Sequence, residues 1–346
     1  MMIVGCDFHP GKQQVAIFNQ QTGEVEEREL SHGDGEAEGF YRGLPAPALV
    51  GVEACGNSQW FIELLQRLGH EVWVGNAAQI RASYVRKQKT DKRDAEHILK
   101  LLLEGRFPRI WLPSWEQRDH RQLLIHRHKL VQIRARLKNG LQHLCLNRGL
   151  QQKHKMWTEA GQKRLEQLPL QGWAAVRRED SQTLLKQLDK QIELLDQAAE
   201  QAAESDPQAK ILLQQRGVGP ITALAFAVTI GEVSRFAHSK QVASYLGLIP
   251  SERSSGSKKR MGSITKQGNG FLRMLLVEAA QSVVRLDPTF HQEYVRRCHR
   301  KPKAVAKVAA ARKLAVRLYW MLRTQQANPA VAHIESSPRV PLVGAS

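Results

Sequence analysis

The chain has 346 residues, 42% of them hydrophobic, enough for a buried core and for more than one domain. Its 51 Lys and Arg against 33 Asp and Glu leave a formal charge of +18, which favours a polyanionic partner and says nothing about fold. No apolar run reaches the roughly 18 to 20 residues of a spanning helix and no signal-peptide pattern opens the chain, so neither a membrane nor a secretory role is expected.

Residues 1–112 read as alternating α/β. "MIVGCDF" has the look of a short core strand, and "QVAIFN" and "EVEEREL" flank a "QQTG" turn as a hairpin would. "ALVGVEA" is a buried-type strand, "SQWFIELLQRLG" an amphipathic helix stopping at Gly69, and "EVWVG" another strand. "TDKRDAEHILKLLLEG" then predicts a helix with Thr90 as N-cap and Gly105 as its stop. The order is three strands followed by β-α-β-α, and Pro113 breaks the pattern.

Residues 116–200 are almost all helix-forming. Leu130, Ile133, Leu137, Leu141 and Leu144 recur at three- and four-residue steps, as do Leu188, Ile192, Leu195 and Ala199. Such seams serve either bundle packing or an intermolecular coiled coil, and in both cases the section is a structural spacer or arm. Residues 208–323 read as a second, mostly helical domain. "RGVGPITA" joins two helices by a tight turn of helix-hairpin-helix type, whose backbone N–H groups suit phosphate. Residues 295–323 carry ten Lys or Arg and no acid, a face whose self-repulsion a polyanion would relieve. Residues 326–346 have the composition of a disordered tail. The scattered cysteines Cys6, Cys55, Cys145 and Cys298 form no CxxC pair and fit free thiols in a reducing cytoplasm.

Four carboxylates stand where chemistry would want them. Asp7 interrupts the first strand and Glu53 ends "ALVGVEA", positions where an unpaired charge costs several kcal/mol of desolvation. Asp91 and Asp94 lie three apart at the start of a helix and share one face, a placement that helix-dipole complementarity alone also explains. Taken together, an acid on strand one, an acid ending a later strand and acids on a following helix form the pattern of a ribonuclease H-like fold. Carboxylates brought together in that way repel unless divalent cations bridge them. Two Mg²⁺ ions about 4 Å apart would do so while activating a nucleophile and stabilising a leaving oxygen. His9 is a neighbour of this set, expected to be structural.

The segment "SERSSGSKKRMGSITKQGNGFLR", residues 251–273, joins serines and four glycines to six Lys or Arg. Lys258, Lys259, Arg260, Lys266 and Arg273 suit phosphate, and the glycines permit close backbone approach. From chemistry alone Ser254, Ser255, Ser257 and Ser263 are equal rivals for any reactive hydroxyl, against the plainer reading of a solvated loop. Lys301, Lys303, Lys307, Arg312 and Lys313 extend the basic surface along the last helices.

The blocks "GCDFHPGK", "GVEACGNSQWFIELLQRLGHEVWV", "RKQKTDKRDAEHILKLL", "RGVGPITA", "YLGLIPSERSSGSKKRMGSITKQGNGFLRMLLVEAA" and "KAVAKVAAARKLAVRLYWML" resemble, in order, those of the DEDD transposases of bacterial insertion sequences. The resemblance runs from about residue 2 to about residue 323. It implies an α/β ribonuclease H-like (RuvC-like) domain at 1–113, an α-helical coiled-coil and dimerisation section at 114–205, and a mostly α-helical transposase domain at 206–325. It maps the family's four metal-binding acids onto Asp7, Glu53, Asp91 and Asp94, and its serine nucleophile onto Ser255. "EACGN" departs from the more usual "EATG" and puts only the acid's neighbour in doubt. The resemblance further implies Mg²⁺, with Mn²⁺ as a substitute, and a phosphoserine–DNA intermediate resolved by strand exchange. It also implies donor and target DNA, a structured bridge RNA, a dimer-to-tetramer assembly whose sites combine acids and serine from different subunits, and action in the bacterial cytoplasm. Two other readings compete: a RuvC-like nuclease or resolvase that hydrolyses with metal-activated water, and a non-catalytic architectural protein. Ser255 discriminates against the first and the acids against the second.

Overall fold

The computed structural model describes residues 1–84, 90–150, 155–254 and 260–327. They fall into two compact units, residues 1–112 and residues from Pro113 on. In the first, β1 (Met2–Phe8), β2 (Lys12–Asn19) and β3 (Val25–Ser31) run as an antiparallel meander. Helix α1 (Glu36–Gly43) follows, and β4 (Leu49–Glu53), α2 (Gln59–Arg67) and β5 (Glu71–Gly75) make a parallel β-α-β crossover. Helices α3 (Ala77–Ala82) and α4 (Asp91–Leu103) complete the unit. Strand β4 pairs in parallel with β1, so the sheet order is β3-β2-β1-β4-β5.

Strand alternation sorts the side chains between two cores. Val4, Cys6 and Phe8 of β1 join Val50 and Val52 of β4 on one face, against Tyr41 of α1 and Phe61 and Leu65 of α2. Ile3 and Leu49 turn to the other face, where Ala95, Ile98, Leu99 and Leu102 of α4 form a helical stripe. The residues after Ile3 and Leu49 on this second face are Gly5 and Gly51, paired across the two strands. A Cβ on Gly5 would stand 2.4 Å from the Ala95 carbonyl oxygen, and one on Gly51 2.7 Å from Leu102 Cδ1. Glycine at both positions lets α4 lie close upon the strands.

The second unit opens with two long helices, α5 (Trp115–Leu146) and α7 (Trp173–Ser205), with α6 (Glu159–Glu166) between them. A capping box between Ser114 and Gln117 starts α5. Arg127 pairs with Asp196, and Arg134 Nη1 donates to Asp189 Oδ1 at 3.1 Å. Seven residues forward on α5 correspond to seven back on α7, so the helices run antiparallel and within one chain. Leu141, Leu144, Ile192 and Ala199 from the two expected seams are buried, as is Leu185 outside them, while Ile133 is exposed.

Helices α8 (Pro207–Leu213), α9 (Pro220–Ile230), α10 (Ser239–Tyr245), α11 (Gly270–Leu286), α12 (Pro288–Cys298) and α13 (Lys303–Ala327) follow. Their core centres on α9, with Leu224, Phe226 and Val228 meeting Leu276 and Val283 of α11 and Leu314 and Leu318 of α13. The α8–α9 turn holds Gly217 at φ +89°, with room for only glycine beside Val283 of α11. Strands β6 (Pro250–Glu252) and β7 (Met261–Ile264) pair as an antiparallel ribbon within the segment that composition alone reads as a loop. Among the described residues no helix is long and apolar enough to cross a membrane.

Candidate active site

The alternation that sends Ile3–Gly5 and Leu49–Gly51 toward α4 sends the next residues of that series, Asp7 and Glu53, the same way. Asp7 is 8% exposed and Asp94, one helical turn into α4, is 3% exposed. Thr90 caps α4 by accepting from the Arg93 amide, and Asp91 and Asp94 occupy the first turn, where the helix dipole favours them. Strand ends and helix start therefore bring their acids to one place.

His9, just past β1, spans two of them. Its Nε2 lies 3.2 Å from Asp7 Oδ2 and 3.6 Å from Asp91 Oδ1. Lys12 Nζ lies 4.0 Å from Asp91 Oδ2 but is held more tightly by Glu29, at 2.7 Å. Burial pushes the Asp7 carboxyl above the usual carboxylate range, and the charges of Asp94 and Asp91 push it further while His9 opposes them.

A tyrosine completes the arrangement. Tyr84 donates its hydroxyl to Asp94 Oδ1 at 2.6 Å, and its ring stacks on His97 of α4 with centroids 4.1 Å apart. Burial, the bond to Asp94 and the charges of Asp7 and Glu53 raise the phenol well above its ordinary pKa, so it remains a donor. Sequence reasoning passes over Tyr84, since nothing in "RASYVRKQ" marks it, and treats His9 as a bystander.

Asp7, His9 and Asp91 each offer one ligand atom, all within 4.8 Å of one another. Two carboxylate oxygens and an imidazole nitrogen are a donor set that divalent cations accept, and a cation there would offset the repulsion that burial imposes on Asp7. Glu53 and Asp94 border the same place through Tyr84.

In the second unit the sequence candidates have unequal surroundings. Ser255, Lys258 and Lys259 lie outside the described residues. The ribbon of β6 and β7 flanks them: Ser254 Oγ donates to Glu252 Oε1 at 2.6 Å and accepts from the Arg260 amide at 3.2 Å. Arg273 Nη1 donates to the Leu246 and Gln267 carbonyls at 3.1 and 2.8 Å, and Lys266 adopts φ +55°. Lys313 pairs with Glu293 and lies over the Phe290 ring, so it pins α13 to α12. Lys301 and Lys303 are exposed, while Lys307 and Arg312 are half-buried. A cavity lined by Glu293, Arg296, Arg297, Arg300 and Lys301 adds a basic concavity near them.

Two family models match the chain. Residues 4–148 match the DEDD transposase model of the IS110 type, and residues 209–295 match the transposase model of the IS116/IS110/IS902 family. A probable family 20 transposase of Pseudomonas aeruginosa is 30% identical over 93% of this chain and 97% of its own length. The transposase for insertion sequence element IS1328 of Yersinia enterocolitica is 28% identical over 81% of this chain and 84% of its own. That for IS1111A of Coxiella burnetii is 28% identical over 68% of this chain and 66% of its own. Asp7, Glu53, Asp91 and Asp94 all fall within the first of these matches, and the chain belongs to the IS116/IS110/IS902 family of DEDD transposases, enzymes that act on DNA.

Proposed function

We propose that this transposase is an RNA-guided DNA recombinase that holds metal on the acids of its first unit and uses a serine of its second as nucleophile. The observation that carries the reading is the convergence of Asp7, Asp91 and Asp94, with Glu53 beside them, in a chain of charge +18. A protein that merely bound phosphate would be weakened by acids there. The strand order, three antiparallel strands followed by two parallel ones, supports a ribonuclease H-like assignment for residues 1–113. The antiparallel α5–α7 pair supports a helical arm at 114–205, followed by a transposase domain at 206–325; of the tail expected at 326–346, residues 326 and 327 belong to α13 and the rest lie outside the described residues.

Asp7, Glu53, Asp91 and Asp94 would hold a pair of Mg²⁺ ions, with His9 alongside. Bound Mg²⁺ supplies Lewis acidity toward the scissile phosphate and its leaving oxygen. Ser255 Oγ forms a bond to phosphorus as the bond to the leaving deoxyribose oxygen breaks, and the proton lost by the serine ends on that oxygen. Attack of a second strand's hydroxyl on the phosphoserine reverses the exchange and rejoins DNA. A serine hydroxyl is a poor nucleophile unaided, so the reading needs it to be activated with help from the metal-binding acids, and the family resemblance adds a dimer or tetramer to it. Arg260, Lys301 and Lys303 are exposed and Lys307 and Arg312 half-buried, all open to DNA or RNA phosphates in this reading, whereas Arg273 and Lys313 act first on their own chain. Donor and target DNA would be chosen by pairing with a bridge RNA.

The test uses element-end DNA with Mg²⁺. Asp94→Asn should abolish strand cleavage while leaving fold and nucleic-acid binding in place, and Ser255→Ala should eliminate a covalent adduct trapped on a nicked substrate. Cleavage retained by Asp94→Asn overturns the acid assignment. An adduct that persists in Ser255→Ala, or maps to Ser254 or Ser257, overturns the nucleophile. Recombination by protein free of RNA overturns the guide.

A further inference from the structure

Tyr84 sits outside every motif that pointed to the acids, yet its hydroxyl donates to Asp94 Oδ1 at 2.6 Å. The bond is buttressed from behind. The Tyr84 ring stacks on His97 with centroids 4.1 Å apart and planes 28° from parallel. His97 Nε2 in turn lies 2.7 Å from Ser83 Oγ, which donates to the Ile80 carbonyl at 2.7 Å. His97 is three residues along α4 from Asp94, on the same side of the helix, so one helical face presents the carboxylate and the surface that aims the phenol at it. Residues 80–84 and 94–97 thereby form a closed circuit around Asp94.

We infer that Tyr84 is a positioning residue that fixes the Asp94 carboxylate for divalent-cation binding. This rests on the reading of the acids as the metal site. The hydroxyl occupies one oxygen and one rotamer of Asp94, and a ligand held in place before the cation arrives loses less freedom on binding it. Because the donor is neutral, it orients the carboxylate without cancelling the charge the cation needs, which an Arg or Lys in its place would do. A purely structural tyrosine would predict lost stability on removing the hydroxyl and no change in cation affinity.

The experiment titrates the full chain with Mn²⁺ in the absence of DNA, following free Mn²⁺ by its electron paramagnetic resonance signal, alongside thermal melting of the metal-free protein. Tyr84→Phe keeps the ring on His97 and removes only the donor. It should weaken Mn²⁺ binding by about tenfold, in the range that outer partners of metal ligands contribute. A second variant, His97→Leu, keeps the hydroxyl but removes the stacking surface and should weaken binding less. Asp7→Asn separates the two levels of the reading. If Asp7→Asn binds Mn²⁺ as the unaltered protein does, the metal-site reading fails and the role of Tyr84 with it. If Asp7→Asn loses binding while Tyr84→Phe and His97→Leu both stay within twofold of the unaltered chain, the positioning role alone is overturned.

Discussion

Asp7 in the first unit, and Asp287 and Glu293 in the second, are carboxylates with opposite surroundings. Asp287 caps α12 by accepting from the Thr289 and Phe290 amides and pairs with Arg317, and Glu293 pairs with Lys313. Those cations hold both carboxyls below their ordinary range, Arg317 foremost for Asp287 and Lys313 foremost for Glu293. Asp7 is buried instead, with Asp94 and Asp91 as charged neighbours and only His9 in opposition, and its carboxyl is raised. In a chain with 51 Lys and Arg, a cation for Asp7 was available to selection many times over. A carboxyl raised by burial beside other acids, as Asp7 is, marks the place where an external cation belongs, while the cation-paired acids of α12 mark construction.

The comparison breaks most sharply at Gly5. Gly5→Ala places a methyl group 2.4 Å from the Ala95 carbonyl oxygen and the Leu99 amide nitrogen, backbone atoms that cannot rotate away. Helix α4 must lift, at a cost of about 1–3 kcal/mol, and it carries Asp91 and Asp94 with it. Displacement of the order of 1 Å lowers strand cleavage by about 10²-fold in a steady-state assay. Full cleavage with an unshifted melting temperature would show that α4 does not position the acids.

A smaller effect lies in the second unit. Asp287→Ala removes the α12 cap and the Arg317 pair together. Loss of the cap costs about 1 kcal/mol, to which the partly exposed ion pair adds little. Chemical denaturation should register that loss, while Mn²⁺ affinity stays as it was. A drop in Mn²⁺ affinity would mean that the two kinds of acid are not distinct.

The smallest difference is in pH dependence, and it has opposite signs in the two units. Asp7 has a raised folded-state pKa, so its ionisation opposes folding: the penalty is absent below the ordinary carboxylate pKa and complete above the raised one. Asp7→Asn in metal-free protein should therefore melt higher near neutral pH, with the gap closing as pH falls through that window. Asp287 has a depressed pKa, so its contribution is present above the ordinary value and is lost as pH falls through the depressed one. Asp287→Asn should melt lower near neutral pH, with that gap closing in acid. Melting curves of the two variants that shift in the same direction would remove the distinction.

Much of the first unit was legible because its signals are local. The apolar runs "MIVGCDF" and "ALVGVEA" read as core strands that carry Asp7 and Glu53, and Thr90 announces α4, while the shared face of the two acids comes from the parallel register of β1 and β4. Helices α1 and α3 were not legible: α1 has eight residues with Gly39 inside it, and α3 has six, too short for a periodic pattern to emerge. Tyr84 stayed hidden because its role depends on a contact with a residue ten positions further along the chain. Arg273 and Lys313 looked like phosphate ligands by charge alone. Their guanidinium and ammonium groups meet carbonyls 6 and 27 residues away and a carboxylate 20 residues away, pairings that only the packed helices create. The β6–β7 ribbon escaped notice for a similar reason, since Gly and Ser dilute its alternation while backbone pairing across the segment holds it together.

The claim that the first unit's acids hold the cation is tested most directly by loading the full chain with Fe²⁺ in place of Mg²⁺, adding ascorbate and peroxide, and mapping the resulting backbone cuts by mass spectrometry. Hydroxyl radicals act within a few bond lengths of their source, so cuts clustered around residues 7–9, 53 and 91–94, and suppressed by excess Mg²⁺, are the expected result. Cuts confined to the second unit, with the first left whole, would contradict it.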